Sequence, residues 1–375
     1  MKKLFIVFIA LFILFSCNEG GSGIFFTIKN ERPLENKELN DNLSIDQFVF
    51  SSENYYFSAS NVYYLPINQV DQSTWKELIN FQEPTANGVN RISSSVAYFQ
   101  DNLYAVFIDE ELSKPLVTRL MRLEGDIWKD VTTASKLNDK FIDSLFMLNN
   151  NLFASIKETD GSYSLYSADS SAVFNSTPLI SNKNRIKDAV YGHGNYWFLS
   201  SGGLSYTNGP TTPASFMAVS SIDPKVAEAI ACELSADDNI LLSVKLKDST
   251  YNVYFYDSTP AWHAITTAGV SVPLKDLKEI YIEGSPDSLL VIGSDNGYYE
   301  LNHHAETPTF ISPGSSNSLT AKANYISINL KNYVINGFYY KADEPRVLYG
   351  LTNFNGLWKN NLDPASATYK IWTIE

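Results

Sequence analysis

Apolar and polar residues alternate in short runs along most of this chain, which predicts many β-strands and very little helix. One pattern, a short polar turn followed by apolar or aromatic residues, occurs seven times. The first apolar positions of the copies are Tyr55, Leu103, Leu152, Tyr196, Ile240, Leu289 and Leu348. Subtracting the residue numbers gives spacings of 48, 49, 44, 44, 49 and 59. A repeat of this length holds four short strands and their turns.

Each copy of the pattern is predicted to form a hairpin with the apolar run before it, because only a few Asn, Asp, Gly or Ser residues separate the two. A third strand follows in most repeats. A fourth begins with a tryptophan in four repeats, at Trp75, Trp128, Trp262 and Trp372. Weaker fourth strands are predicted at 177–180 and 308–311, and the longest spacing predicts an insertion around 312–330.

Seven repeats of four antiparallel strands predict an all-β fold, a seven-bladed β-propeller of four-stranded antiparallel blades, in which neighbouring sheets bury each other's aromatic faces. We expect a single propeller domain over residues 24–375. A sandwich or barrel would rarely need so many residues and would not explain the even spacing. Segment 23–29 has a strand pattern and is a candidate to pair with the last blade. Segment 223–228 is the one candidate helix, and the alternative is a turn into a strand at 229–234.

The first residues of the chain have a different pattern. Lys2 and Lys3 precede an almost unbroken apolar stretch that ends at Ser16-Cys17. The stretch is shorter than the ~20 residues of a bilayer span, and a glycine-rich segment follows at 20–23. A transmembrane helix and an ordinary cleaved signal are the alternatives.

This arrangement resembles the lipobox of bacterial lipoproteins, with Ser16 standing where Gly or Ala is usual. The resemblance implies that residues 1–16 are a signal peptide, that Cys17 is acylated, and that 17–23 form the lipidated cysteine and a flexible tether. The acyl chains on Cys17 are then the membrane contact, and the protein is expected in the cell envelope, on the outer membrane or the cell surface.

The charge of the chain excludes some partners. The formal net charge is −13, so we predict no nucleic-acid binding and no polybasic second anchor, because both need clustered Lys and Arg. Only two cysteines are present. If Cys17 is lipidated, Cys232 has no partner in the chain, and its apolar neighbours predict a small buried side chain.

Two fragments, 73–78 and 125–131, are similar to the tail of the Asp-box repeat found in sialidases and related proteins. The head of that motif, Ser-x-Asp-x-Gly, is missing before both tryptophans, so the resemblance implies a distant structural relationship. A sialidase would also need three convergent arginines, a tyrosine nucleophile with a glutamate partner, and an acid. The arginines considered are Arg32, Arg91, Arg119, Arg122, Arg185 and Arg346. The sequence 91–93 departs from Arg-Ile-Pro at its third residue, so no catalytic residue is predicted.

Metal and cofactor sites are not predicted either. The four histidines are His193, His263, His303 and His304. The adjacent pair would point to opposite faces of a strand and could hold one ion only in a loop. No phosphate-binding glycine loop, nucleophile elbow or Cys-x-x-Cys pair is present.

These patterns together predict a lipid-anchored, non-catalytic propeller that binds a protein or glycan partner at the bacterial cell envelope. The 23 tyrosines suit such contacts if some are exposed, although most are expected between blades. The alternatives are an extracytoplasmic glycan-active enzyme of the sialidase-like kind and a component of envelope assembly.

Overall fold

A computed structural model of the chain describes residues 45, 47–67, 75–83, 89–112, 114–182, 184–257, 261–282, 288–313, 315–322, 330–341, 346–353 and 355–374. The signal peptide, Cys17, the tether and the strand predicted at 23–29 lie outside these residues. Within them the structure has 27 strands in seven antiparallel sheets.

The first four sheets each contain four strands, in sequence order across the sheet. Blade 1 contains β1 (Gln47–Phe50), β2 (Asn54–Ala59), β3 (Asn61–Pro66) and β4 (Lys76–Leu78). Blade 2 contains β5 (Val89–Phe99), β6 (Asn102–Glu111), β7 (Val117–Glu124) and β8 (Ile127–Asp130). Blade 3 contains β9 (Phe141–Leu148), β10 (Asn151–Lys157), β11 (Tyr163–Ser167) and β12 (Ile180–Asn182). Blade 4 contains β13 (Ile186–Gly192), β14 (Asn195–Ser200), β15 (Gly203–Thr207) and β16 (Ser215–Ala218).

The last three sheets follow the same order. Blade 5 contains β17 (Val226–Leu234), β18 (Ile240–Leu246), β19 (Tyr251–Tyr256) and β20 (Trp262–Ala264). Blade 6 contains β21 (Leu274–Ile280), β22 (Leu289–Ser294) and β23 (Gly297–Leu301). Blade 7 contains β24 (Ile335–Lys341), β25 (Val347–Thr352), β26 (Leu357–Asn361) and β27 (Trp372–Ile374). One-turn helix α1 (Val219–Ile222) and a 3-10 turn (Leu330–Asn332) complete the elements.

The predicted all-β, seven-bladed propeller is confirmed. From blade 1 to blade 7, the first strand of each sheet contacts the first strand of the next. In blade 6 the fourth strand is reduced to one bridge, between Glu300 and Ile311, at the end of the weak strand predicted at 308–311. The long connection from β23 to β24 lies where the insertion was predicted.

Turn chemistry explains the hairpins that the sequence predicted. Gln100 and Asp101 join β5 to β6 with φ of 49° and 57°, and Asn149 and Asn150 join β9 to β10 with φ of 42° and 57°. Two consecutive positive φ angles give the tight turn whose twist matches antiparallel strands, and Asn and Asp tolerate them. In these two repeats the polar turn residues therefore place the second strand.

The predicted helix at 223–228 is wrong, and its alternative is confirmed. Helix α1 ends at Ile222, and β17 begins at Val226. The Asp223 side chain accepts a hydrogen bond from the Lys225 amide (2.7 Å) and another from the Tyr254 hydroxyl (3.1 Å). These bonds hold a turn that leads into β17 of blade 5. There the backbone forms hydrogen bonds with the neighbouring strand and not within a helix. Strands β7 and β16 were missed by the sequence pattern.

The hydrophobic core lies between adjacent blades. Seven clusters of buried side chains each combine residues from two neighbouring sheets. Trp75 and Trp128 are fully buried, and the Trp128 indole Nε1 donates a hydrogen bond to the Leu78 carbonyl of blade 1 (3.0 Å). The fragments that resemble an Asp-box tail are thus packing elements. Within the described residues, no helix is long and apolar enough to span a membrane.

Side-chain packing joins blade 7 to blade 1. Each of these sheets is built from one continuous stretch of chain. The Phe48 ring of β1 lies 4.4 Å from the Tyr339 ring and 5.2 Å from the Tyr349 ring, between centroids. The Ile45 amide also donates to the Thr352 carbonyl at 3.3 Å. Among the described residues, an aromatic cluster therefore closes the ring.

Candidate functional site

The first strands of the seven blades surround the centre of the propeller, and their pairing with the second strands is irregular in six blades. Register shifts occur between β5 and β6, β9 and β10, β13 and β14, β17 and β18, β21 and β22, and β24 and β25. A bulge turns a side chain away from the regular pleat. The bulges in these first strands bring polar side chains towards the first strand of the next blade.

Four polar side chains of first strands bind the next blade directly, three of them at a bulge and the fourth, Gln47, on the regularly paired β1. Gln47 Oε1 accepts the Val96 amide at 3.0 Å, and Asp188 Oδ2 accepts the Cys232 amide at 2.8 Å. The Ser95 hydroxyl accepts the Leu145 amide of blade 3 at 2.9 Å. Asp276 Oδ2 accepts the Phe338 amide of blade 7, also at 2.9 Å. The first strand has an open edge at the centre of the ring, and these acceptors satisfy its N–H groups.

The sequence contains a pattern that corresponds to this network. Gln47, Ser95, Ser144 and Asp188 each stand eight residues before the first apolar position of their repeat. All four are polar and stand directly before an apolar run. A polar residue at a fixed place in a repeat indicates a shared contact, but only the structure shows that the partner is the neighbouring blade.

Negative charge accumulates where blades 4, 5 and 6 meet at the centre. Burial, followed by the charge of Glu233, raises the pKa of Asp188 to about 6. Burial, together with Asp188 and Glu233, raises the pKa of Asp276 to about 8. Lys278 Nζ lies 2.6 Å from Glu233 Oε1. One ammonium thus faces three half-buried carboxyl groups, so a proton on Asp276 relieves repulsion at neutral pH.

Substituting Asp276→Asn is therefore expected to stabilise the protein at alkaline pH. A carboxyl whose pKa is raised on folding stabilises the native state below its unfolded pKa of ~3.9, and that stability is lost as the pH rises through the folded value. The amide stays neutral, and its oxygen can still accept the Phe338 N–H. We expect the free energy of unfolding to rise by at least about 1 kcal/mol at pH 8.5 and to change much less at pH 5.

Urea unfolding of both proteins at the two pH values measures this difference. Asp126→Asn is the matched control, because Asp126 is an exposed turn residue far along the chain from the central carboxyl groups. The same gain at pH 5 and pH 8.5, or a loss at pH 8.5, would contradict the interpretation.

A cavity of about 620 Å³ runs along the first strands of blades 1–4. Its wall contains charged, hydroxyl and aromatic side chains, among them Ser95, Phe141, Asp143, Tyr163, Arg185, Lys187 and Asp188. Arg185 Nε lies 2.8 Å from Asp143 Oδ2, and Lys187 Nζ lies 2.7 Å from Glu228 Oε1. Polar groups of both signs in one concave wall suit a polar ligand or a peptide segment.

Of the arginines considered for a sialidase-like site, those in the described part of the chain do not all meet at one point. Arg91 and Arg119 both bind Asp109, at 2.5 and 2.7 Å. Burial opposes ionisation of Asp109, but the two arginines outweigh it and lower its pKa. Arg122 binds Glu124, and Arg185 binds Asp143. Arg32 lies outside the described residues, and Arg346 is in blade 7 next to β25.

Cys232 is 2% exposed, which confirms the predicted small buried side chain, and burial raises the pKa of its thiol well above the usual range. His303 and His304 do not lie on a strand. They form a turn after β23, and their ring centroids are 3.9 Å apart. The exception that the sequence analysis allowed for a loop therefore applies to this pair.

No protein-family model matches the sequence, and no curated protein matches it. Among solved structures, the chain is similar to an ancestral GH74 enzyme, with a TM-score of 0.61 and 12% identity over 92% of this chain. It spans 47% of the length of that enzyme. A chain in the crystal structure of the mitotic checkpoint complex gives a TM-score of 0.51 and 11% identity, over 86% of this chain and 91% of that one.

At these identities the likeness concerns the fold alone. The protein is a seven-bladed β-propeller with a polar cavity along its central strands and an acidic cluster beside it.

Proposed function

We propose that this protein is a lipid-anchored, non-catalytic β-propeller that binds a protein or glycan partner at the bacterial cell envelope. The observation that carries the binding role is the polar cavity along the first strands of blades 1–4. The anchoring through Cys17 rests on the lipobox resemblance of the first 17 residues.

The cavity supports recognition by paired charges. Arg185 and Asp143 present a guanidinium and a carboxylate side by side, and the Arg185 side chain is 59% exposed. The exposed Arg185 guanidinium can contact a ligand in the cavity while Asp143, whose side chain is only 12% exposed, stays paired with it. Phe141 and Tyr163 add aromatic surface in the same wall.

The hydrogen bonding of the carboxyl groups supports a non-catalytic role. A general acid or base must reach the substrate with a free oxygen. Asp188 has the raised pKa that such a residue needs, but its Oδ1 accepts the Ala189 amide and its Oδ2 accepts the Cys232 amide, both at 2.8 Å. The group is used to join blades 4 and 5. Asp143, the other carboxyl in the wall, is held by Arg185.

Membrane fractionation and crosslinking of the full chain, expressed in a bacterium, test both parts of the proposal. We expect the wild type in the membrane fraction and Cys17→Ser in the soluble fraction. Crosslinking should capture an envelope protein or glycan, and Arg185→Glu should reduce capture at least tenfold by placing two carboxylates together. Arg122→Glu is the matched control, because Arg122 also pairs with a carboxylate but lies outside the cavity.

Three results would separate the alternatives. Hydrolysis of envelope polysaccharide by the purified chain would favour the glycan-active enzyme. One stoichiometric partner from the envelope machinery would favour an assembly role. Equal capture by the Arg185 and Arg122 variants would exclude the cavity as the binding surface.

A further inference from the structure

A second cluster of polar side chains lies where blade 6 meets blade 5. Glu279 is at the end of β21, and His303 and His304 form the turn after β23. One carboxylate oxygen and one nitrogen from each imidazole all lie within 4.8 Å of one another. Asp237, in the turn between β17 and β18 of blade 5, places its Oδ2 4.0 Å from His304 Nε2.

The spacing of these atoms fits a common metal ion. His303 Nε2 lies 3.4 Å from Glu279 Oε1, which is long for a hydrogen bond between nitrogen and oxygen. Two ligands at ~2.0–2.1 Å from a tetrahedral ion are separated by about 3.3–3.4 Å. The imidazole and the carboxylate therefore already stand at the distance that such an ion requires.

Neighbouring groups orient the carboxylate towards the imidazoles. The Ala236 amide of blade 5 donates to Glu279 Oε2 at 2.5 Å, which leaves Oε1 on the histidine side. The Ser288 hydroxyl donates to Oε1 and lies 3.1 Å from His304 Nε2. The Asn302 side chain accepts the His304 amide at 3.0 Å and fixes the turn. Additional hydrogen-bond partners of this kind are typical of metal-binding side chains, because they hold the ligating atoms in place.

Burial sets the electrostatics of the cluster. Glu279 is 8% exposed, and a buried carboxylate needs a compensating positive charge. Lys278, the adjacent residue, pairs with Glu233 instead. A cation bound between Glu279 and the imidazoles would neutralise this carboxylate.

We propose that Glu279, His303 and His304 bind a divalent transition metal ion of the zinc class, with Asp237 as the fourth ligand. Two imidazoles and a carboxylate match this class, whereas Ca²⁺ and Mg²⁺ prefer ligand sets made of oxygen. The ion would replace the Ser288 hydroxyl as the partner of His304 Nε2. Because Asp237 belongs to blade 5, bound metal would fasten blade 5 to blade 6.

Zinc titration of the purified full chain, after removal of metal with a chelator, tests this proposal. Calorimetry and elemental analysis should find one zinc equivalent per chain. His304→Gln should weaken binding at least tenfold, and Asp237→Asn should weaken it less, since three ligands remain. Zinc at a hundredfold excess over Kd should raise the unfolding midpoint of the wild type by about 3–5 °C.

His263→Gln is the matched control, because His263 is also an exposed imidazole near a carboxylate, 4.0 Å from Asp257, but lies outside the cluster. It should bind zinc like the wild type. The His304 side chain is 36% exposed in a turn, so its variant is expected to fold even if Glu279→Gln does not. Absence of stoichiometric zinc, or equal affinity of the His304 and His263 variants, would overturn the proposal.

Discussion

Replacing Tyr349 by alanine is expected to lower the free energy of unfolding by about 3–5 kcal/mol, the range for deleting a large buried aromatic side chain. Tyr349 is on β25 and is fully buried. Its ring lies 5.2 Å from Phe48, 6.0 Å from Tyr55 and 6.5 Å from Trp75, all in blade 1. The substitution therefore removes packing between the first and last blades.

The Tyr349→Ala substitution is also expected to act at one place in the ring, the joint between blades 1 and 7. Within the described residues, the joint between blades 1 and 7 rests on side-chain packing and the one backbone bond at Ile45. Losing the Tyr349 ring should let this joint open while the other blades stay folded, because local opening follows the weakest contacts. Urea unfolding measures the stability, and hydrogen exchange of β1 and β25 measures the opening.

Phe153→Ala is the matched control for the ring closure. Phe153 is fully buried between blades 3 and 4, with its ring 5.1 Å from Phe198 and 5.3 Å from Tyr196. We expect a similar loss of stability but faster exchange in β10 and β14. Faster exchange of β1 in both variants, or in neither, would show that the joint between blades 1 and 7 is not the weakest one.

Trp128→Ala is expected to cost a similar 3–5 kcal/mol, because Trp128 is fully buried and joins blade 2 to blade 1. The indole packs on Phe107 with centroids 5.2 Å apart. Its Nε1 donates to the Leu78 carbonyl, and its backbone N–H donates to the Asn80 carbonyl at 2.7 Å. Trp128→Phe should cost about 1–3 kcal/mol, since it leaves the Leu78 carbonyl without its donor.

Trp262 offers the comparison for Trp128. Trp262 begins the fourth strand of blade 5 but is only half-buried, and its Nε1 faces the Met217 sulfur at 3.3 Å, a weak acceptor. Thermal and urea unfolding of Trp262→Ala should show a clearly smaller loss than Trp128→Ala. Equal losses would mean that the tryptophans contribute as strand residues rather than as contacts between blades.

The repeat and most strands could be predicted from the sequence because their causes are local. Asn149 and Asn150 set a tight turn, and apolar alternation gives each strand a face to bury, all within one repeat. Strand β7 was missed since Arg119, Arg122 and Glu124 interrupt its apolar pattern. Those charges are tolerated because they pair with one another or with Asp109 on the neighbouring strand. The lipobox interpretation of Cys17 stays a prediction.

The candidate sites depended on contacts between repeats. Asp188 meets the Cys232 amide 44 residues away, and Glu279 meets the Ala236 amide 43 residues away. His303 and His304 converge because they lie in a turn, where neighbouring side chains need not point to opposite faces. Alternation and turn residues by themselves determined the blades of this protein. Only the packing of one blade on the next decided which polar groups meet, because that depends on how separate sheets are aligned in space.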